Sequence, residues 1–234
     1  YVINGQKSWI TGATDCDFFT VAAKTDPEAG FRGIDMFLVE KDRPGVEVGR
    51  RIDKIIAVAS GCYDLFFHNV RIPADRLYGG EEGKGFALLR DILNDIRVHT
   101  AAQALGTARA AYEESLEYAQ QRMAFGRPII QFQAVQHDLA KMVVDIEASR
   151  LLIYYAAWLM DQGLPVNVEA AVCKYYVTEA VLRIVDDATR IFGAYGAATD
   201  MNIQRYLRDA RWLLYGAGTQ HIILNIIASE IQKS

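Results

Sequence analysis

The sequence predicts an α+β chain of two domains, an antiparallel β-barrel-like domain to about residue 80 and an antiparallel α-helical bundle after it. Three observations carry this. Short β-branched and aromatic runs separated by turn dipeptides fill the first third of the chain. A glycine-rich bridge follows, with Gly79, Gly80, Gly83 and Gly85. Beyond it, apolar residues recur at three-to-four spacing over long stretches, the period of helices that bury one face.

Taken in order, Tyr1-Val2-Ile3 runs into Asn4-Gly5, which reads as a hairpin whose first strand begins before residue 1. The chain is therefore expected to be a piece of a longer protein. Ser8-Trp9-Ile10-Thr11, Phe18 to Ala23, Ile34 to Val39 and Tyr63 to Phe67 are the next strands, punctuated by Asp26-Pro27 and Pro44-Gly45. Val70-Arg71-Ile72-Pro73 closes the module. One long helix is expected from Phe86 to Arg122, broken by Phe125-Gly126-Arg127-Pro128. A second runs from about Ile129 to Asp161 and stops at Gln162-Gly163-Leu164-Pro165. A third covers about Val168 to Phe192, ending at Gly193 and Gly196. A short helix at about Ile203 to Leu213 and a last one at about Thr219 to Gln232 complete a bundle with short connections.

Composition excludes some classes of function. Lys plus Arg number 25 against 29 Asp plus Glu, a net charge of −4, which argues against a general nucleic-acid binder. No apolar run reaches the roughly 18 residues of a membrane span, and the first residues lack the basic-apolar-small pattern of a signal peptide. Cys16, Cys62 and Cys173 are odd in number and widely spaced, so reduced thiols are expected rather than a disulfide framework. His68, His99, His137 and His221 have no zinc-ligand spacing. No glycine-rich loop joins a strand to a helix in dinucleotide-binding fashion.

Several segments together resemble one family. Tyr1-Val2-Ile3-Asn4-Gly5-Gln6-Lys7-Ser8-Trp9-Ile10-Thr11 is similar to the middle-domain hairpin of acyl-CoA dehydrogenases, and Leu65-Phe66-Phe67-His68-Asn69-Val70-Arg71-Ile72-Pro73 to their last β-strand. Gly83-Lys84-Gly85-Phe86 resembles the start of their C-terminal bundle. Arg122 to Ile129 with Phe132-Gln133 resembles their flavin-contacting turn, and Tyr206-Leu207-Arg208-Asp209-Ala210-Arg211 the run before their last helix. The similarity stays in register over essentially the whole chain. It implies a partial middle β-domain at 1–80 on the flavin and thioester side, a C-terminal helical bundle at 81–234 with FAD and oligomer contacts, and an N-terminal helical domain upstream.

The resemblance also implies a chemistry. FAD carries the redox step while the protein orients and polarises. Trp9 takes the position of the indole beside the flavin ring, and Thr11 that of the hydroxyl near its N5. Arg122, Phe125 and Gln133 match residues that commonly reach a neighbouring subunit's FAD, and a guanidinium fork suits a pyrophosphate. Gly193 and Gly196 match glycines near the adenine end, Arg190 stands beside them, and Thr219 opens the last helix where FAD phosphates are held. Arg97 and Tyr215 fall on the substrate side. The implied partners are an acyl-CoA or carrier-bound acyl thioester and an electron-transfer flavoprotein, in a homotetramer or dimer of dimers. The implied compartment is the bacterial cytoplasm or the mitochondrial matrix.

Departures from the pattern bear on mechanism. Arg190 replaces a glutamine, Ala194 a glycine, and Ile55 to Ser60 lack the arginine usual after Lys54. Dehydrogenation removes the α-proton of the thioester through a positioned carboxylate. The family carries that Glu at one of two positions, and here these are Ala217 and Ile96. Asp95 is adjacent to Ile96 but turned by about 100°. His99, three residues after Ile96, shares its face and carries an imidazole, a common general base. Two readings are open: α,β-dehydrogenation with Asp95 or His99 as base, or a member that binds FAD and acyl-CoA without the redox step, as an inactive subunit or for non-redox thioester chemistry.

Overall fold

The computed structural model describes residues 1–232, and among them it contains seven strands and five α-helices. The chain divides into two compact units, Tyr1–Ile92 and a second that begins at Leu93.

The first unit holds strands β1 (Val2–Thr11), β2 (Phe18–Lys24), β3 (Ile34–Glu40), β4 (Val46–Ile52) and β5 (Cys62–Arg71). They form two antiparallel sheets, one ordered β1-β5-β4 and one made of β2 and β3, and no closed barrel forms among the described residues. Period-two alternation sends Phe19 and Val21 of β2, Phe37 and Val39 of β3, and Leu65 and Phe67 of β5 into one shared core, and a register shift in β5 brings Val70 to the same face.

One expectation is corrected, and one strand is added. The Asn4-Gly5 pair is no hairpin turn: β1 runs straight through it, with a register shift against β5 between Ile3 and Gly5. Gly5 takes φ +140, which only glycine accepts readily, and Asn4 bonds Asn69 on the partner strand, where His68 and Asn69 of β5, the latter at φ +51, bulge opposite Asn4. Strand β4 was illegible because Glu47, Arg50 and Arg51 dilute its apolar alternation, and Gly49 interrupts it. Gly49 is there because a Cβ would lie 2.7 Å from the Phe66 ring.

Asp35, within the apolar run of β3, is fully buried. Its carboxylate accepts bonds from Thr25 Oγ1 at 2.6 Å, Gly83 N at 2.9 Å and Gly85 N at 3.1 Å. Burial raises its pKa, but these hydrogen bonds outweigh burial and the net shift is downward. The glycine-rich bridge is thus strapped to β3, and a Cβ on Gly85 would meet the Asp35 backbone at 2.3 Å.

The helices are α1 (Gly85–Gln121), α2 (Gln133–Asp161), α3 (Asn167–Phe192), α4 (Asn202–Trp212) and α5 (Gln220–Ile231), each within two residues of its expected position except α2, which starts four residues late. The late start follows from Pro128 and a 3-10 turn over Ile129–Gln131. Helix α3 is the buried centre of the second unit, packed against α2, α4 and α5. From α1, Ala101, Ala104, Ala108 and Ala111 join the same core at alternating three- and four-residue spacing, which allows close backbone approach. Tyr118 stacks on Phe192 at 4.2 Å, and Tyr206 donates to Glu114 at 2.7 Å, fixing α4 on α1. Helix α2 ends in a Schellman motif: Leu164 N bonds Leu159 O, Gly163 N bonds Met160 O, and Gly163 takes φ +65.

Candidate active site

In the first unit, β1 bulges between Lys7 and Ile10, where Ser8 and Trp9 together face Asp64 of β5. Ser8 Oγ donates to the Asp64 carboxylate. Trp9 takes φ +62, a conformation unfavourable for an aromatic residue, and its side chain is turned outward and 54% exposed. Two residues on, Thr11 is also exposed, with its hydroxyl 3.4 Å from Cys62 Sγ. Lys54 Nζ donates to Ser60 O and contacts Cys62 Sγ, holding the Ile55–Ser60 loop by its base.

In the second unit, the break after α1 is a small hairpin of β6 (Met123–Ala124) and β7 (Arg127–Pro128). Its two-residue turn, Phe125-Gly126, has φ +51 and +79, the type I′ pattern that joins strands most tightly. Phe125 is strained there and 96% exposed, touching Phe132 edge-on. Arg127 lies 4.3 Å over the Phe132 ring. Arg122 and Gln133 flank this hairpin with exposed side chains, so three sequence-predicted residues share one connection.

The other predicted cofactor residues are dispersed. Arg190 pairs with Asp186 at 2.6 Å and lies 3.9 Å from Asp187, one turn back on its own helix. Gly193 takes φ +60 at the end of α3, which accounts for a glycine at that point. Gly196 is buried, and a Cβ there would lie 2.6 Å from Thr189 O. Thr219 stands at the N-cap of α5 as expected, but its hydroxyl makes no capping bond.

One hydrogen bond links the surroundings of the two empty carboxylate positions. On α1, Asp95, Ile96 and His99 are exposed, while Asn94 and Arg97 are buried. Arg97 Nη1 donates to Asn94 Oδ1 at 2.7 Å and Nε to Ala217 O at 3.4 Å. Among the described residues no carboxylate pairs with this guanidinium, and burial alone pulls its pKa down. Every fully buried side-chain nitrogen and oxygen among them has a partner, so the unbonded Nη2 keeps access to solvent. Ala217 itself is held at φ +56, followed by Gly218 at φ +106, and Tyr215 beside it is exposed.

Sequence reasoning missed Asn94, Lys174 and Gln220 here. For Lys174 a signal existed: it sits in the apolar stripe of α3 with Ala170, Ala171, Val177 and Val181, where a charge needs partners. Such a stripe names a buried lysine but not what it holds.

Residues 1–70 match the family described as acyl-CoA dehydrogenase, middle domain, and residues 83–232 the acyl-CoA dehydrogenase C-terminal domain. A benzylmalonyl-CoA dehydrogenase of Aromatoleum aromaticum is 45% identical over all of this chain and 61% of its own length. The structure of butyryl-CoA dehydrogenase from Megasphaera elsdenii superposes with a TM-score of 0.96 at 37% identity, over 99% of this chain and 60% of that one. A structure titled "PigA with FAD and proline" has a TM-score of 0.95 at 32% identity, over 99% and 60%. The chain thus spans about three-fifths of the length of the relatives it matches.

Proposed function

Because the chain belongs to the acyl-CoA dehydrogenase family, we propose that the protein binds FAD and oxidises an acyl-CoA, or a carrier-bound acyl thioester, to the α,β-unsaturated thioester. One observation carries the reading. Of the five non-glycine residues with left-handed backbone among the described residues, three are Trp9, Phe125 and Ala217, the positions where the resemblance puts a flavin-side indole, a phenyl that reaches a neighbouring subunit's FAD and a catalytic base. Backbone strain of this kind persists where a site requires it.

The residues fit the cofactor. Trp9 offers an exposed apolar ring for the flavin, and Phe125 one for the FAD of a neighbouring subunit. Arg122 offers an exposed guanidinium, and Thr219 an uncommitted hydroxyl at a helix N-terminus, both suited to a pyrophosphate. Gln133 and Gly193 complete the proposed set, with Arg190 committed to its helix carboxylates. Bound FAD supplies the acceptor for the hydride that leaves C3 of the acyl group. Arg97 and the α1 face around it stabilise negative charge on the thioester, and Tyr215 lines the same edge. Asp95 and His99 remain the proposed bases for a simple acyl thioester. The exposed Val144, Leu151, Tyr154, Tyr155 and Trp158 along α2 support a homotetramer or dimer of dimers. An electron-transfer flavoprotein is the proposed acceptor. No helix among the described residues is long and apolar enough to cross a membrane. The bacterial cytoplasm or mitochondrial matrix is proposed as the compartment.

A second reading concerns the substrate, and the buried Arg97 without a carboxylate favours it. The benzylmalonyl thioester in the relative's name bears a carboxylate on C2. Loss of that group as CO2 leaves the bond's electron pair on C2, giving the enolate with no base at Ala217 or Ile96. The hydrogen on C3 then leaves as hydride, and the product is again the enoyl thioester.

Anaerobic addition of acyl thioesters to the full-length protein, with and without a 2-carboxylate, tests both readings by the visible flavin band. Bleaching by simple acyl-CoAs establishes dehydrogenation with a local base. Bleaching by 2-carboxyacyl-CoAs alone, with release of CO2, establishes the second reading. A band that shifts and never bleaches identifies a thioester-binding protein without the redox step.

A further inference from the structure

Lys174 on α3 is fully buried and plays no part in the chemistry described above. Its ammonium spends all three donors on one short segment: Leu214 O at 3.0 Å, Gly218 O at 2.9 Å and Gln220 Oε1 at 2.8 Å. Gln220 in turn donates through Nε2 to Glu179 Oε1 at 2.8 Å and Thr178 Oγ1 at 3.2 Å. Arg97 meets the same segment from α1 through Ala217 O. Carbonyls of residues 214, 217 and 218 therefore turn inward onto two buried cations.

An isolated buried ammonium is strongly unfavourable, so such a group is retained only where its partners are fixed. Here the fixed partners are backbone atoms on both sides of Ala217, in a stretch whose left-handed residues at 217 and 218 have no regular secondary structure to hold them. A neutral apolar side chain on α3 would pack as well but would leave the two carbonyls unpaired and the loop free to relax.

We propose that Lys174 is a positioning residue, which acts through the carbonyls of Leu214 and Gly218 to hold Ala217 and Thr219 in the conformation the thioester and cofactor meet. The inference rests on the proposed function only for what the loop meets. The tethering itself is independent of it. Charged and titratable groups facing Lys174 are Glu179 on its own helix, which favours the charged form, and Arg97 on α1, which opposes it.

Hydrogen exchange of the full-length protein, followed by mass spectrometry on peptides spanning 213–221, reads the tether without any substrate. Lys174→Met is expected to speed exchange in those peptides about tenfold or more, the effect of losing one charge-assisted hydrogen bond, while peptides of the α2–α3 core keep their protection. In turnover or flavin reduction the same variant is expected to lower kcat more than it raises KM, because the loop is misplaced rather than missing. Unchanged loop exchange in a folded Lys174→Met protein overturns the proposal, whatever the activity. Should that variant fail to fold, Gln220→Ala removes one acceptor and leaves both carbonyl bonds. It is expected to speed loop exchange severalfold, and identical exchange in loop and core overturns the tether. Faster loop exchange in a protein inert to every thioester leaves the tether standing and sinks only the proposed reaction.

Discussion

Arg97 on α1 donates from Nε to the carbonyl oxygen of Ala217, 3.4 Å away and 120 positions further along the chain. That bond ties the loop carrying Ala217 to the turn of α1 carrying Ile96, so the two proposed base positions border on one guanidinium locus. A carboxylate placed close to that guanidinium is held in its charged form.

Restoring a carboxylate follows directly. Ala217→Glu is expected to raise the rate of flavin reduction by a plain acyl-CoA about 100-fold or more, the usual contribution of a positioned general base. Ala217 already sits at φ +56, so the longer side chain adds little backbone strain and the melting temperature should move by only a few degrees. Ile96→Glu should act in the same direction from α1. Stopped-flow absorbance measures both. Two folded variants that bind thioester yet gain nothing would show that the locus is not aligned with C2 of the substrate.

Arg97 makes two hydrogen bonds of the five its guanidinium offers and pairs with no carboxylate among the described residues. If the substrate supplies that carboxylate, Arg97→Met should weaken binding of a 2-carboxyacyl-CoA by about 10- to 100-fold, equivalent to ~1.5–3 kcal/mol for a hydrogen bond to a charged group. Binding of the matching plain acyl-CoA should change far less. Calorimetric titration of both ligands against both proteins isolates the difference. Equal losses for the two ligands would mean that Arg97 serves the loop and not the substrate.

Much of this architecture was legible because periodicity survives in the sequence. The long helices announced themselves through repeating apolar positions, and Gly163 and Pro165 marked the end of α2. What stayed hidden depends on contacts remote in sequence. Nothing local says that Asp35 strapped a glycine bridge some 50 residues away, or that Gly49 yielded to Phe66. Asn4-Gly5 looked like a turn because the dipeptide is a strong hairpin signal, and the long partner strand β5 overrode it. At the site, resemblance supplied Trp9, Phe125 and Ala217, but only the backbone revealed that all three are left-handed. Sequence order likewise could not show that Arg97, next to Ile96, bonds the carbonyl of Ala217.

Phe125 separates fold from function. Its side chain is 96% exposed on a type I′ turn, so truncation removes little packing. Phe125→Ala is expected to alter unfolding free energy by less than about 0.5 kcal/mol and to lower the flavin retained through purification. The ratio of visible to protein absorbance checks the second part, and a urea titration the first. Full flavin content in a stable Phe125→Ala protein would remove this residue from the cofactor site.

Asp35 gives the fold an acid sensitivity of definite sign. Its folded pKa lies below the ordinary carboxylate value, so its stabilising effect is complete above that value and is lost as pH falls through the folded one. Asp35→Asn keeps the size but loses the charge and an acceptor for Gly83 and Gly85. The variant should be less stable than wild type by about 1–3 kcal/mol at pH 7, and the gap should close in acid. Urea titrations at several pH values read the gap directly. A constant gap would mean that the carboxylate charge is irrelevant to the strap.

Lys174 carries a dependence of the same sign into the alkaline range, and it can be worked out. Burial pushes its pKa down to about 8, with Glu179 resisting and Arg97 assisting. Between about pH 8 and the ordinary 10.5, the unfolded chain therefore holds a proton that the folded chain has released. Stability from this group rises across that window, and below it the folded state bears the full penalty of a buried charge. The size is on the order of 3 kcal/mol, since the pKa falls from 10.5 to about 8 and each pKa unit corresponds to about 1.4 kcal/mol. A protein carrying Lys174→Met cannot show this term, so the difference in unfolding free energy between wild type and variant should grow in favour of wild type from pH 8 to pH 10. A flat difference would mean that the lysine keeps an ordinary pKa in the fold, and that its three acceptors offset burial in full.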